Sequence, residues 1–147
     1  MKSTTLRILL PLVLNLALAC SLFSFLSAEV QAAPTATITL EVDTNLDNND
    51  AAYQLCTPTP NDCSLRGAVS QANTDPINDY VINIPVGTYT FSRAGSGENN
   101  NATGDLDLQG IITFQGAGKD VTIINANRLD RVIQTDSSAH VTLRRGE

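Results

Sequence analysis

Residues 61–69 read Asn-Asp-Cys-Ser-Leu-Arg-Gly-Ala-Val, NDCSLRGAV, and they place a cysteine where a helix is about to begin. A helix N-terminus favours a thiolate, so Cys63 can be read as a nucleophile. It can equally be half of a disulfide, and the residues around it have to decide. From Asp62, a good N-cap, Leu65, Ala68, Val69 and Ala72 recur at i, i+3, i+4 and i+7. This predicts one short amphipathic helix that ends near Asn73, ahead of Asp75-Pro76. Gly67 inside it costs about 1 kcal/mol relative to alanine.

The start of the chain bears on the cysteine. Lys2 and Arg7 precede an almost wholly apolar run over 8–26, and Val30-Gln31-Ala32 supplies small residues at a cleavage site. That layout predicts a signal peptide over 1–33 and an exported remainder. An uncleaved membrane anchor and a lipoprotein processed at Cys20 are the alternatives. Beyond Pro34, Arg66, Arg93, Lys119, Arg128, Arg131, Arg144 and Arg145 stand against fourteen acidic residues, the fifteen of the chain less Glu29. This acidic balance argues against nucleic acid or anionic lipid as a partner. Membrane contact is expected only through the leading segment, if it stays uncleaved. In the exported part only Cys56 and Cys63 remain, and export implies oxidising conditions. The intervening Thr-Pro-Thr-Pro-Asn-Asp favours a turn that brings them into bonding range. The single histidine, His140, is far along the chain, so Cys63 lacks a nearby base. A Cys56–Cys63 disulfide is predicted.

Outward from the helix, 35–42 alternates, with Ala36, Ile38, Leu40 and Val42 on one face, as a half-buried strand does. Strand, cysteine loop and helix make a unit over 34–79. After it, short strands are predicted at 80–84, 88–92, 106–108, 111–115, 121–125, 131–135 and 141–143, divided by turn residues such as Pro85-Val86-Gly87 and Gly116-Ala117-Gly118. No second helical pattern appears, which argues against an alternating βαβ fold. The connections lack Asn-Gly and Asp-Gly hairpin pairs, and Ile112, Phe114, Ile123, Val132, Val141 and Leu143 recur in similar places. Both features favour a stacked β-solenoid over a sandwich or barrel. The segment 141–147 begins as a strand and has no polar closing element, so further coils are expected to stack on it.

Several of these stretches together resemble one family. Cys63-Ser64-Leu65-Arg66-Gly67-Ala68-Val69 resembles the "CSLREAI" signature of a domain near the N-terminus of secreted, repetitive bacterial proteins. Ile84-Pro85-Val86-Gly87-Thr88-Tyr89 is similar to that family's "LPAGTY", and the likeness continues through Gly104-Asp105-Leu106-Asp107-Leu108, Phe114-Gln115-Gly116-Ala117-Gly118 and Leu129-Asp130-Arg131-Val132. The resemblance implies a right-handed parallel β-helix whose first coils, over 80–147, are capped by the strand and helix of 34–79. Within it, Cys63 is a cap staple. Gly67 stands where the family tends to have Glu, and Val69 where it has Ile. The first departure removes a possible charge contact and predicts a looser cap.

Motifs for chemistry are few. Gly116-Ala117-Gly118-Lys119-Asp120 lacks the upstream glycine and the hydroxyl after lysine that a phosphate loop requires. Asp43, Asp47 and Asp50, or Glu98, Asn100, Asp105 and Asp107, could offer oxygens to calcium, but solvated Asx turns are the favoured reading. Asp105 and Asp107 share one strand face, as paired glycosidic carboxylates could. His140 reads as an ordinary surface residue at a strand start. Arg66 reads as lying along the helix or pairing with an Asp of the cap, with anion binding the alternative. Asn101-Ala102-Thr103 is a sequon and reads as loop. The expectation is a non-catalytic structural or adhesive β-helix protein of the cell surface, meeting a surface ligand or polysaccharide, without cofactor. The second expectation is part of a polysaccharide-active lyase or hydrolase on the same scaffold.

Overall fold

A computed structural model describes residues 36–146. The predicted signal segment lies outside them. Among the described residues, eight strands and one α-helix follow in the order β1 (Thr37–Glu41), α1 (Leu65–Asn73), β2 (Asp79–Ile84), β3 (Gly87–Thr90), β4 (Leu106–Leu108), β5 (Ile111–Gly116), β6 (Thr122–Asn125), β7 (Ile133–Thr135) and β8 (His140–Arg145). Each predicted strand is present, with its ends moved by a few residues. A 3-10 turn at Ala51–Tyr53 was not anticipated.

All strand pairs are parallel. β1, β2, β5 and β8 form one four-stranded sheet in that order, while β3 pairs with β6 and β4 with β7. The chain thus visits three sheets as β2, β3, β4, and visits them again in the same order as β5, β6, β7. Register is unshifted across the large sheet. Ile38, Tyr80, Ile112 and Val141 stand in one row, and Leu40, Ile82, Phe114 and Leu143 in the next. Alternate residues point inward, which is why the apolar positions of every strand fall in the same rows.

The core is a single cluster that joins these rows to Leu106 and Leu108 of β4, Tyr89 and Phe91 near β3, and Leu65, Ala68, Val69 and Ala72 of α1. Each fully buried Leu, Ile or Phe contributes about 1.5–3 kcal/mol relative to exposure. Burial falls toward β8: Phe114 is 3 % exposed and Leu143 is 70 % exposed. The predicted helix is present and ends at Asn73, but it starts later than expected, with Ser64 rather than Asp62 as its N-cap. Ser64 Oγ accepts from the Gly67 N–H at 2.9 Å. Asp62 instead closes the cysteine loop, accepting from the Thr57 N–H and hydroxyl.

Candidate functional site

The signature residues Cys63, Ser64, Leu65, Arg66, Ala68 and Val69 are all buried, so the site they build is internal. Cys63 is bonded to Cys56, with Cα atoms 4.4 Å apart. The nucleophile reading is excluded for it. An antiparallel bridge from Gln54 to Cys63 and a parallel bridge from Thr44 to Ser64 hold the loop on either side. Closing so short a loop restricts the unfolded chain by about 2.5 kcal/mol. A Cys56→Ala/Cys63→Ala variant is therefore expected to lose about that much stability in a urea titration, and alkylation of the non-reduced parent should find neither thiol free.

Arg66 lies on the helix face turned toward β4. Its Nε–H donates to Asp47 Oδ1 at 2.6 Å, Nη1 donates to Asp105 O at 2.7 Å, and Nη2 to Gly104 O at 2.8 Å. Its carbon centre also sits 5.0 Å from the Phe91 ring, an arrangement attractive to a cation. The guanidinium side chain is 0 % exposed and that of Asp47 3 %. Pairing with a cap Asp holds, and the guanidinium is buried among these partners rather than turned toward an external anion. Asn73, seven residues on and so two turns along the same face, continues the device. Its Nδ2 donates to Asp107 O and its Oδ1 accepts from the Gln109 N–H. Arg66 and Asn73 thus bind the backbone edge of β4, which an unpaired strand would leave open for another chain. The role of Asn73 was not read from the sequence; its signal was the i+7 spacing from Arg66.

Several of the carboxylates considered for calcium bond to groups of the protein itself. Asp43 accepts from the backbone N–H groups of Asp62 and Cys63. Asp47 Oδ2 accepts from those of Ser92 and Arg93, while its other oxygen holds Arg66. Asp50 precedes the 3-10 turn, and its N–H donates to Asn48 Oδ1 as an Asx turn does. Asp105 stands 3.0 Å from Arg131 Nε. Among the described residues no three His, Cys, Asp or Glu side chains come together as a metal-holding group. His140 is exposed at the start of β8. The sequon asparagine, Asn101, is fully buried with φ at +56°, a conformation Asn tolerates well. Its Nδ2 donates to Arg66 O and Ser70 Oγ, and its N–H to Asp107 Oδ2. It ties α1 to the loop before β4, a role the sequence did not disclose.

Gly67 corrects the expectation of a loose cap. A Cβ there would lie 1.9 Å from the Tyr53 carbonyl oxygen. The glycine lets the 3-10 turn press directly against the helix, and Tyr53 O accepts from the Ser64 N–H.

Two carboxylates shift in opposite directions. Burial raises Asp107 above its ordinary value of 3.8, with Asp105 and Glu98 adding to the rise against the Asn101 N–H and Arg66. Burial also pushes Glu98 up, but backbone N–H groups of Thr103, Asn100 and Ala102 outweigh it and hold the group below 4.5. With its folded value raised, Asp107 favours folding while protonated, and loses that contribution as pH climbs past its folded value. For Glu98 the contribution is present at neutral pH and is lost on acidification. Asp107→Asn keeps an acceptor for Asn101 and removes a buried charge whose Oδ1 has no partner. It should raise the Tm at pH 7, with the gain vanishing near pH 3. A gain that grows on acidification would contradict this assignment.

Comparisons with protein-family models, with curated proteins and with solved structures found no match.

Proposed function

We propose that this chain is the N-terminal cap and first coils of a secreted or cell-surface right-handed parallel β-helix protein of the CSLREAI type, with a structural or adhesive role. The observation that carries the reading is the use made of the signature. Cys63, Ser64 and Arg66 all turn inward, where they staple the loop, start the helix and bind the edge of β4. They serve a fold and face no substrate. Parallel pairing with a repeated order of sheets supports the β-helix, and crossovers between parallel strands are right-handed in nearly all proteins. The disulfide supports export.

The test is incubation of the purified chain with pectin, alginate and β-glucans, with and without calcium, together with binding to the same polymers when immobilised. Retention without product release is the expected result. Reproducible cleavage that Asp105→Asn abolishes, with the disulfide and circular dichroism unchanged, would replace this reading by the enzymatic one.

A further inference from the structure

We infer that the groove between the chain leaving β1 and the turn into β3 holds a neutral saccharide, as a short stretch of a glycan chain. Such a site rests on the adhesive reading above and gives it a ligand and a place. The groove is open and about 300 Å³ in volume, at the small end of the range for ligand sites. Its two walls differ in chemistry. One is polar, with Asp43 and Asn45 after β1 and Asn61 from the cysteine loop; the other is aliphatic, with Pro85 and Val86. Val86 is 67 % exposed, and Tyr89 braces that wall by donating its hydroxyl to Pro85 O at 3.2 Å.

A sugar ring is divided in the same way, with hydroxyls around its rim and C–H groups on its faces. Asn45 and Asn61 are exposed, and neither side chain is hydrogen-bonded among the described residues. Each carboxamide both donates and accepts, as each sugar hydroxyl does. Asn61 is also held in place, with φ at +63° in the loop that the disulfide closes. A group fixed before binding loses little freedom on contact. Charge selects the kind of sugar. Asp43 is the one charged residue of the lining among the described residues, and its carboxylate is fixed by the Asp62 and Cys63 N–H groups. Arg66, the single cation of 36–79, is buried against Asp47 and takes no part in the lining. A fixed carboxylate with no cation in the lining repels a uronate and still accepts from a neutral sugar hydroxyl.

Retention on immobilised polymers and NMR titration with soluble oligosaccharides test this on the purified chain. Neutral β-glucan should retain the parent, and its oligomers should shift the side-chain amide signals of Asn45 and Asn61. Pectin and alginate should retain it less. Asn45→Ala and Asn61→Gly, the second keeping the positive φ, should each weaken β-glucan binding about three- to tenfold, the worth of one hydrogen bond. Thr142→Ala, at an exposed position on β8, should bind as the parent does, with circular dichroism unchanged in all three variants. Retention on β-glucan that neither asparagine variant weakens would overturn this site and leave the adhesive reading standing. A preference for pectin or alginate would do the same. A parent retained on no polymer would overturn the site together with the adhesive reading.

Discussion

Arg66→Ala should cost about 3–5 kcal/mol of stability, the usual result of removing one partner from a buried ion pair. The loss has two parts. Asp47 keeps its bonds from the Ser92 and Arg93 N–H groups but loses its counter-charge at a site where its side chain is 3 % exposed. Gly104 O and Asp105 O lose their donors on the edge of β4. Arg66→Lys should recover little, because a single ammonium cannot reach a carboxylate and two carbonyls as the planar fork does. A double variant, Arg66→Met with Asp47→Asn, should cost clearly less than the sum of Arg66→Met and Asp47→Asn alone, because it buries no unpaired charge. Chemical denaturation of the four proteins measures the coupling. Additive losses would show that Asp47 and Arg66 do not act as a pair.

Gly67→Ala should destabilise by about 1–3 kcal/mol through overpacking, although alanine is the better helix former by about 1 kcal/mol. The added Cβ would lie 1.9 Å from the Tyr53 carbonyl oxygen and 2.7 Å from its carbon, so the closest contacts are with backbone rather than with a flexible side chain that could yield. Relief requires the 3-10 turn to move away, which weakens the bond from the Ser64 N–H to Tyr53 O. Gly67→Glu, the residue of the resembled signature, should suffer the same loss in this chain. The denaturation midpoint decides the matter. A stabilised Gly67→Ala protein would mean that the close contact between turn and helix is absent in solution.

These two residues also mark how far the sequence could be read. The helix around Leu65, Ala68, Val69 and Ala72 was legible because its apolar spacing is local, and the strands were legible from alternation and turn residues. The disulfide followed from the count of cysteines left after the leading segment. Local pattern could not choose between Asp62 and Ser64 as N-cap, since both are good caps one residue from a workable start. The choice rests on the demand of the Thr57 N–H and hydroxyl for Asp62, a contact made across the cysteine loop. Likewise Arg66 was expected to find a cap Asp, but which one depends on where the chain after β3 returns. Asn101 and Asn73 were invisible for the same reason. The side-chain amides of both bind groups more than thirty residues away, among them the carbonyls of Arg66 and Asp107, and local pattern does not say where the chain returns. Gly67 was read by propensity as a weakness, because the carbonyl that needs its missing Cβ belongs to a turn that the sequence did not announce.

The account rests above all on parallel stacking in unshifted register, and cross-strand contacts between amide and α protons in solution measure that directly. The stacking predicts contacts that pair Ile82 with Phe114 and Phe114 with Leu143, in the staggered pattern of parallel strands and without close α-proton pairs across the ladder. Close α-proton pairs between β2 and β5, the mark of antiparallel neighbours, or a register shifted by one residue that turns Phe114 outward, would contradict it.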